Sequence, residues 1–261
     1  MKTLTFAKGK TACTAAAIAF TFAATLSTQA AVVTWGAASN ITGDSNVSTV
    51  GTLVGAFNVG DGGVSAATVN GVNFNPFALN STGGPVSTGT VGNFTLATTD
   101  LFLSDNTLYG SAVAPFTSLS AGYRTLLSSA TTTSTPFTFS LTMNNLKTGI
   151  LYQFEWFANT SGLGNQQHSA SAGGTVVLND NTTAVDGGLG QFAVGSFVAD
   201  SSSQVITFAP VGAGPQFAQL NAFQLRVVPE SASLLFGLGL IPLIVVVEMR
   251  RKRRATETPT S

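Results

Sequence analysis

The sequence predicts an all-β protein, a single antiparallel β-sandwich flanked by an N-terminal signal peptide and a C-terminal transmembrane helix. Two observations predict this arrangement. Between residues 31 and 227, short β-branched or aromatic runs are separated by Gly, Asn, Asp, Ser and Pro, which is typical of strands joined by turns. The two ends of the sequence instead contain apolar segments, each placed next to lysines or arginines, as expected for export and membrane crossing.

Residues 1–30 have the composition of a secretory signal peptide. Lysines near the start precede an apolar stretch over residues 12–26, and Thr28 and Ala30 then give a small-x-small cleavage pattern. We expect the secretory translocon to export the chain and signal peptidase to cut between Ala30 and Ala31. Cleavage would remove Cys13, the only cysteine, so the mature chain would have neither a disulfide nor a thiol nucleophile.

The segment 31–227 is predicted to be one exported domain, because no internal repeat or long linker divides it. Ten strands in one domain imply two packed sheets or a barrel. A helix is predicted over 117–129, where leucines and a tyrosine recur near helical spacing. The predicted strands are 31–35, 52–58, 67–74, 92–97, 136–143, 150–159, 174–179, 191–199, 204–209 and 221–228.

Several of these strands alternate between apolar and polar residues, as expected when one face packs and the other is solvated. In 136–143 the apolar positions are Phe137, Phe139, Leu141 and Met143. The following turn at 147–149 predicts that strands 136–143 and 150–159 form an antiparallel pair.

The end of the sequence predicts a membrane-crossing segment. Residues 231–247 contain no charge and would span roughly 25 Å as a helix, near the lower limit for a bilayer core. The basic cluster that follows would stop transfer and stay on the cytoplasmic side, and residues 255–261 form a polar tail. The cluster consists of Arg250, Arg251, Lys252, Arg253 and Arg254.

Val228, Pro229 and Glu230, followed by a short Leu/Gly-rich apolar segment and an arginine cluster, resemble the PEP-CTERM sorting signal of Gram-negative bacteria. That motif usually reads Pro-Glu-Pro, and Ser231 stands here in place of the second proline. The resemblance covers 228–254. It implies recognition by an exosortase, a membrane-embedded cysteine protease that would cut near the motif and release or re-attach the body outside the inner membrane. The alternative is an ordinary C-terminal anchor.

Segments 146–157, 188–192 and 220–226 resemble the exported β-sandwich bodies that often precede this signal, and are similar in style to jelly-roll carbohydrate-binding modules. This resemblance favours a jelly-roll-like sandwich in which the last strand returns beside the first. The resemblance to the PEP-CTERM family implies a setting of exopolysaccharide production and biofilm.

The charge of the body argues against a nucleic-acid partner. Residues 31–229 contain three Lys or Arg against eight Asp or Glu, a net charge that repels phosphate backbones. With so few charges, the surface must be solvated by Ser, Thr, Asn and backbone amides.

Catalytic and cofactor sites are not predicted. His168, the only histidine, is placed in a predicted loop without a nucleophile motif nearby. Glu155 is the one carboxyl inside a predicted strand, since the other body acids are aspartates expected to shape turns. Ligands for zinc, haem or iron–sulfur are lacking in the mature chain. A structural calcium ion at loops 43–46 or 179–181 is a weaker alternative, because oxygen ligands are present without a known loop spacing.

Tyr152, Phe154 and Trp156 share one face of a predicted strand. If exposed, they would form a platform for stacking on sugar rings, and if buried they would form half of a sandwich core. The opposite face of the strand is mixed, which favours the core for these three, and Trp35 is also expected to pack inside.

The function that these observations favour is an exported, non-enzymatic surface or matrix protein with a structural or adhesive role. Two alternatives stay open: a carbohydrate-binding module that uses exposed aromatics, and a secreted hydrolase with Glu155 or His168 as acid or base.

Overall fold

A computed structural model describes residues 31–79, 86–105, 112–134, 136–161, 167–171, 174–183, 187–211 and 217–229. These residues form a mostly β structure with one α-helix, α1 (Ala121–Leu127), and two short 3-10 helices at Asp44–Asn46 and Phe116–Ser118. The strands are β1 (Thr34–Trp35), β2 (Ser39–Asn40), β3 (Thr52–Gly60), β4 (Ala67–Val69), β5 (Val72–Ala78), β6 (Thr88–Val91), β7 (Phe94–Thr98), β8 (Leu103–Asp105), β9 (Ala130–Ser134), β10 (Phe139–Asn144), β11 (Leu151–Ala158), β12 (Gln167–Ser171), β13 (Thr175–Asn179), β14 (Gln191–Val198), β15 (Ser203–Val211), β16 (Phe217–Leu220) and β17 (Ala222–Val227).

The strands form two large sheets and one small sheet. The larger sheet has the order β1-β14-β11-β17-β3-β5-β4, with β2 also on β14. The second has the order β13-β12-β15-β10-β7-β6, and the small sheet has the order β16-β9-β8. Pairing is antiparallel except between β3 and β5. The predicted all-β, antiparallel class is therefore confirmed for the described residues.

The two large sheets face each other across one apolar core. The Trp156 ring of β11 meets the Phe208 ring of β15 edge-on at 5.0 Å, and Phe57 of β3 lies 5.0 Å from Phe94 of β7, measured between ring centroids. These contacts join side chains from opposite sheets, so the fold is a β-sandwich. The alternation predicted for residues 136–143 is present, since Phe139, Leu141 and Met143 are buried.

A second, smaller core covers part of the outer face of the larger sheet. Helix α1 packs there against β4, the edge strand of this sheet, and over β11, where Tyr123 of α1 meets the Phe157 ring edge-on at 6.1 Å. Asn221 ties the helix to the sheet, because its side-chain amide donates to the carbonyls of Leu127 and Ser129 at 3.0 and 2.9 Å. One region of the larger sheet is thus buried on both faces.

The predicted pairing of 136–143 with 150–159 is wrong. β10 pairs with β15 and β7 in one sheet, whereas β11 pairs with β14 and β17 in the other. The turn at 147–149 does form, with Gly149 at φ 82°, but it carries the chain from one sheet across to the other. Packing of both strands' aromatic faces into the shared core favours this crossing over a hairpin.

Two predicted boundaries also need correction. The segment 67–74 is a hairpin rather than one strand, because Asn70 and Gly71 adopt φ values of 49° and 74° and turn the chain between β4 and β5. The predicted helix 117–129 is shorter: Ser120 caps α1, and its hydroxyl accepts a hydrogen bond from the backbone N–H of Tyr123 at 3.1 Å.

The expectation that the last strand returns beside the first is wrong. The last strand β17 lies between β11 and β3, not beside β1.

Both predicted targeting segments lie outside the described residues. This applies to residues 1–30, to Glu230, to the apolar run 231–247 and to the arginine cluster. Within the described part of the chain, no helix has the length and apolar character needed to cross a bilayer.

Candidate functional site

The aromatic residues singled out in the sequence lie inside the sandwich. Tyr152, Phe154 and Trp156 of β11 are buried in the main core. Trp35 is half-buried, packs edge-on against Phe154 and donates its indole N–H to the carbonyl of Gly174 at 3.1 Å. The three β11 rings therefore cannot serve as a sugar-stacking platform in this fold, because a sugar ring could not reach them.

In the loops considered for calcium, the asparagine side chains direct their oxygens into their own turns, and Asp44 Oδ1 accepts a hydrogen bond from the Ser120 hydroxyl. Asn46 Oδ1 accepts hydrogen bonds from the backbone N–H groups of Thr42 and Gly43. In the second loop, Asn179 Oδ1 accepts from Asn181 N at 3.0 Å. Among the described residues no group of three or more His, Cys, Asp or Glu side chains could hold a metal ion. These contacts are those of turn-forming residues.

His168 is not in a loop as the sequence indicated. Its backbone belongs to β12, where it pairs with Leu178 of β13 and Pro210 of β15. Gln167, His168 and Ser169 are not β-branched, so the local sequence gives no strand signal, and the strand is formed through backbone pairing on both sides.

Glu155 is the most unusual ionisable group in the described structure. It points from β11 to the outer side of the larger sheet and is 0% exposed. Its Oε2 accepts hydrogen bonds from the side-chain amide of Gln224 and from the backbone N–H of Ser48. Its Oε1 has no hydrogen-bond partner among the described residues, and neither has the nearby buried hydroxyl of Tyr123.

Burial raises the pKa values of both Glu155 and Tyr123. It raises the pKa of the Glu155 carboxyl from 4.5 to about 7, although hydrogen bonds from Gln224 and Ser48 and the charge of Arg226 oppose the rise. Burial, followed by the negative charges of Glu155 and Asp44, also raises the pKa of the Tyr123 hydroxyl well above its ordinary value.

Gln224 and Arg226 of β17 hold the segment 48–51, here called the strap, against the outer face of the sheet. The Arg226 guanidinium donates to the carbonyls of Thr49, Val50 and Gly51 at 2.8–3.1 Å, and Gln224 donates to the carbonyl of Ser48 at 2.9 Å. Because these donors are used within the protein and Glu155 is closed off beneath the strap, this cluster fits a structural role better than an acid–base role.

The outer face of the second sheet offers a surface of a different kind. Adjacent strands place Thr90 opposite Thr95 and Thr95 opposite Thr142, and the hydroxyls of Thr90 and Thr95 are 3.0 Å apart. Ser140 and Thr207 form the neighbouring row. We call this surface the hydroxyl face; its members are exposed or half-buried and comprise Thr88, Thr90, Thr95, Ser140, Thr142 and Thr207.

The hydroxyl face is uncharged along its main strands, since β6, β7, β10 and β15 contain no Asp, Glu, Lys or Arg. Facing side chains on neighbouring strands lie ~5 Å apart, and each hydroxyl can both donate and accept a hydrogen bond. The face is therefore suited to contact a neutral, hydroxyl-rich partner. The alternating Ser and Thr of strand 136–143 were the sequence signal for it, but that signal shows only one strand of the surface.

No protein-family model and no curated protein matches this chain. Solved structures with some likeness include the ANXUR1 extracellular domain from Arabidopsis thaliana (11% identity, 68% of this chain and 48% of that one, TM-score 0.37). Others are the enzymatically active domain of tailspike protein 4 of bacteriophage CBA120 (15% identity, 52% and 19%, TM-score 0.31) and a carbohydrate-binding module of the β-sandwich superfamily (13% identity, 61% and 71%, TM-score 0.24). The chain spans about half the length of the first of these. Likenesses at these TM-scores carry no functional argument.

Proposed function

We propose that this chain is an exported, non-enzymatic protein of the cell surface or extracellular matrix, sorted through a C-terminal PEP-CTERM signal in a Gram-negative bacterium. The observation that carries the proposal is the direct joining of a folded β-domain to the signal. Strand β17 ends at Val227, and the motif residues Val228, Pro229 and Glu230, the apolar run and the arginine cluster follow without a linker.

In this proposal the chain has four parts: a signal peptide (1–30), an exported jelly-roll-like sandwich (31–227), the sorting signal (228–254) and a polar tail (255–261). The translocon and signal peptidase act on the first part, and exosortase acts on the third. Residues 231–247 hold the protein in the inner membrane before processing. Repeated crossings between the two large sheets, as from β10 to β11 and from β14 to β15, support a jelly-roll-like sandwich, in which the last strand β17 lies between β11 and β3 and not beside the first.

The non-enzymatic part of the proposal rests on the surroundings of the two candidate residues. Glu155 is enclosed beneath the strap, and the sequence has no nucleophile motif near His168. The adhesive part rests on the hydroxyl face, which offers an uncharged array of donors and acceptors to exopolysaccharide. A carbohydrate-binding role would therefore use this face and not Tyr152, Phe154 and Trp156.

The test of sorting is the mass of the mature protein from surface and culture fractions of the host, with and without its exosortase. We expect a species that begins at Ala31 and ends near Glu230 only when the protease is present, and loss of that species in a P229A/E230A variant. An intact C-terminus at Ser261 in both strains would instead identify a bitopic membrane protein and overturn the sorting proposal.

The adhesive role is tested separately with the exopolysaccharide fraction of the same host. Thr142→Val and Thr207→Val remove hydroxyls with little change of shape, so the double variant should be retained less by the immobilised fraction than the parent protein. Thr68→Val, at an exposed position of β4 in the other sheet, is the matched control and should bind normally. Equal retention of all three proteins would remove the hydroxyl face from the proposal.

A further inference from the structure

The described chain starts and finishes at the same end of the sandwich. At its start, the carbonyl of Ala31 accepts a hydrogen bond from Gln204 Nε2 at 3.1 Å, near the beginning of β15. At its finish, Val228 N donates to the carbonyl of Leu151, the first residue of β11, at 3.0 Å. The turn at 147–149 lies here too, since Gly149 N donates to the carbonyl of Ala199. We call this the terminal end.

Aliphatic side chains form a row across the terminal end, on the outer face of the larger sheet. Leu151 pairs with Val198, and the β1–β14 register, continued by two residues, brings Val32 beside Val198. Val32 and Val198 are 63% and 54% exposed, whereas Leu151 and Val228 are half-buried. These four residues are here called the rim.

The rim is exposed although the adjacent residues of the same strands are buried. Val33, Tyr152 and Phe197, each next in sequence to a rim residue, point into the main core. The rim therefore is not a frayed part of the core but the other face of well-packed strands. Val32 and Val198 are adjacent and each more than half exposed, and contiguous exposed apolar surface is typical of contact with another protein or with a membrane.

The short length of chain between the rim and the apolar run favours a membrane over another protein as the partner of the rim. Val228 is itself a rim residue, and only Pro229 and Glu230 separate it from the uncharged run that begins at Ser231. Three residue steps span at most ~11 Å, while the headgroup region on each side of a bilayer core is about 5–7 Å thick. If residues 231–247 cross the membrane, the rim is held within reach of the lipid headgroups.

We infer that the rim docks on the outer leaflet of the membrane that residues 231–247 cross, so that the sandwich rests on the lipid surface by its terminal end. The inference rests on the proposed function, because it requires the C-terminal segment to be membrane-inserted. It has a consequence for processing: Pro229 is held close to the lipid surface, where a membrane-embedded protease can reach the motif.

The test uses the full chain in a Cys13→Ser background, carrying one new cysteine at a time. Val32→Cys and Val198→Cys report on the rim. Val113→Cys and Val177→Cys, also at exposed valines, are the controls. Val113 lies beside Gly187, whose N–H donates to the carbonyl of Ser161. Ser161 follows the last residue of β11, Ala158, which is about 23 Å from Leu151 at ~3.3 Å per residue.

Each cysteine is labelled with a polarity-sensitive fluorophore, and the protein is reconstituted into phosphatidylglycerol/phosphatidylethanolamine vesicles containing headgroup-nitroxide lipids. We expect blue-shifted emission and strong nitroxide quenching at positions 32 and 198, and water-like emission with little quenching at 113 and 177. Far-ultraviolet circular dichroism checks that all four variants keep the β-fold.

Flotation of the vesicles separates failure of this inference from failure of the proposed function. Protein that floats with the vesicles, but whose rim labels behave like the control labels, would overturn the docking inference and leave the membrane anchor intact. Protein that does not float would overturn both, because the C-terminal segment would not be holding it in the bilayer.

Discussion

The two faces of strand β11 are both covered, but by different means. The inner face carries Tyr152, Phe154 and Trp156, which pack against the opposite sheet. The outer face carries Glu155 and Phe157, which are covered by the strap and helix α1. The inner face is stabilised by apolar burial, which is insensitive to pH, whereas the outer face includes a carboxyl whose burial costs free energy once it ionises.

Period-two alternation in the sequence identifies the inner face of β11 but not the burial of its outer face. The aromatic positions identify the inner face as a core face whatever the topology. The mixed outer face would be solvated in a simple two-layer sandwich, and it is buried only because residues distant in sequence, from 44 to 51 and from 116 to 127, fold over it.

The largest expected effect is on the inner face. Trp156→Ala should lower the free energy of unfolding by ~3–5 kcal/mol, because it removes a fully buried ring and leaves a cavity between the two sheets. Urea unfolding followed by far-ultraviolet circular dichroism measures the change. The control Val177→Ala, at an exposed position, should change stability by less than about 0.5 kcal/mol. A loss below ~1 kcal/mol for Trp156→Ala would contradict its place in the core.

The second prediction concerns the outer face and its response to pH. The pKa of Glu155 is raised from 4.5 to about 7 in the folded protein, chiefly by burial. Its protonated form is therefore favoured by folding, and the stabilisation, complete below pH 4.5, is lost as pH rises to about 7. The expected loss over this window is about 3 kcal/mol.

Glu155→Gln should remove this part of the pH dependence, because the amide has a similar shape and does not ionise. The measurement compares urea unfolding of the parent protein and the variant at pH 4.5, 5.5, 6.5 and 7.5. The difference between the two curves isolates Glu155 from other groups, including the neighbouring Tyr123, Asp44 and Arg226. Parallel curves would show that Glu155 titrates normally and that the outer face is open to water.

Much of the sandwich could be predicted from local sequence, because its strands alternate strongly and end at turn residues. Strand β10 is an example, and the Asn70-Gly71 pair was a sufficient hairpin signal that was nevertheless included within one predicted strand. The partner of β10 could not be predicted, since a turn such as 147–149 is compatible with a hairpin or with a crossing between sheets.

The candidate site was less accessible to sequence reasoning for a related reason. The hydroxyl face consists of single threonines and serines on separate strands, which only the register of four strands brings together. The burial of Glu155 likewise depends on the strap, which lies 107 residues away at Ser48. The terminal motif is contiguous in sequence, and for that reason the sorting signal could be proposed without a structure.

The smallest expected effect tests how firmly the outer cover is held. The Ser120 hydroxyl accepts from Tyr123 N at 3.1 Å and donates to Asp44 Oδ1 at 2.7 Å, so it both caps α1 and links the helix to the segment that leads into the strap. Ser120→Ala should cost ~1 kcal/mol in urea unfolding, as expected for loss of an N-cap. Ser120→Thr keeps the hydroxyl and should restore most of this stability.

The same substitution distinguishes a local cap from a cover that encloses Glu155. If α1 and the strap protect the carboxyl together, Ser120→Ala should let water approach it, lower its pKa towards 4.5 and reduce the loss of stability between pH 4.5 and about 7. Stability measured across this range in Ser120→Ala and Ser120→Thr gives both quantities. A loss of ~1 kcal/mol with an unchanged pH dependence would mean that the strap alone, held by Arg226 and Gln224, keeps Glu155 dry.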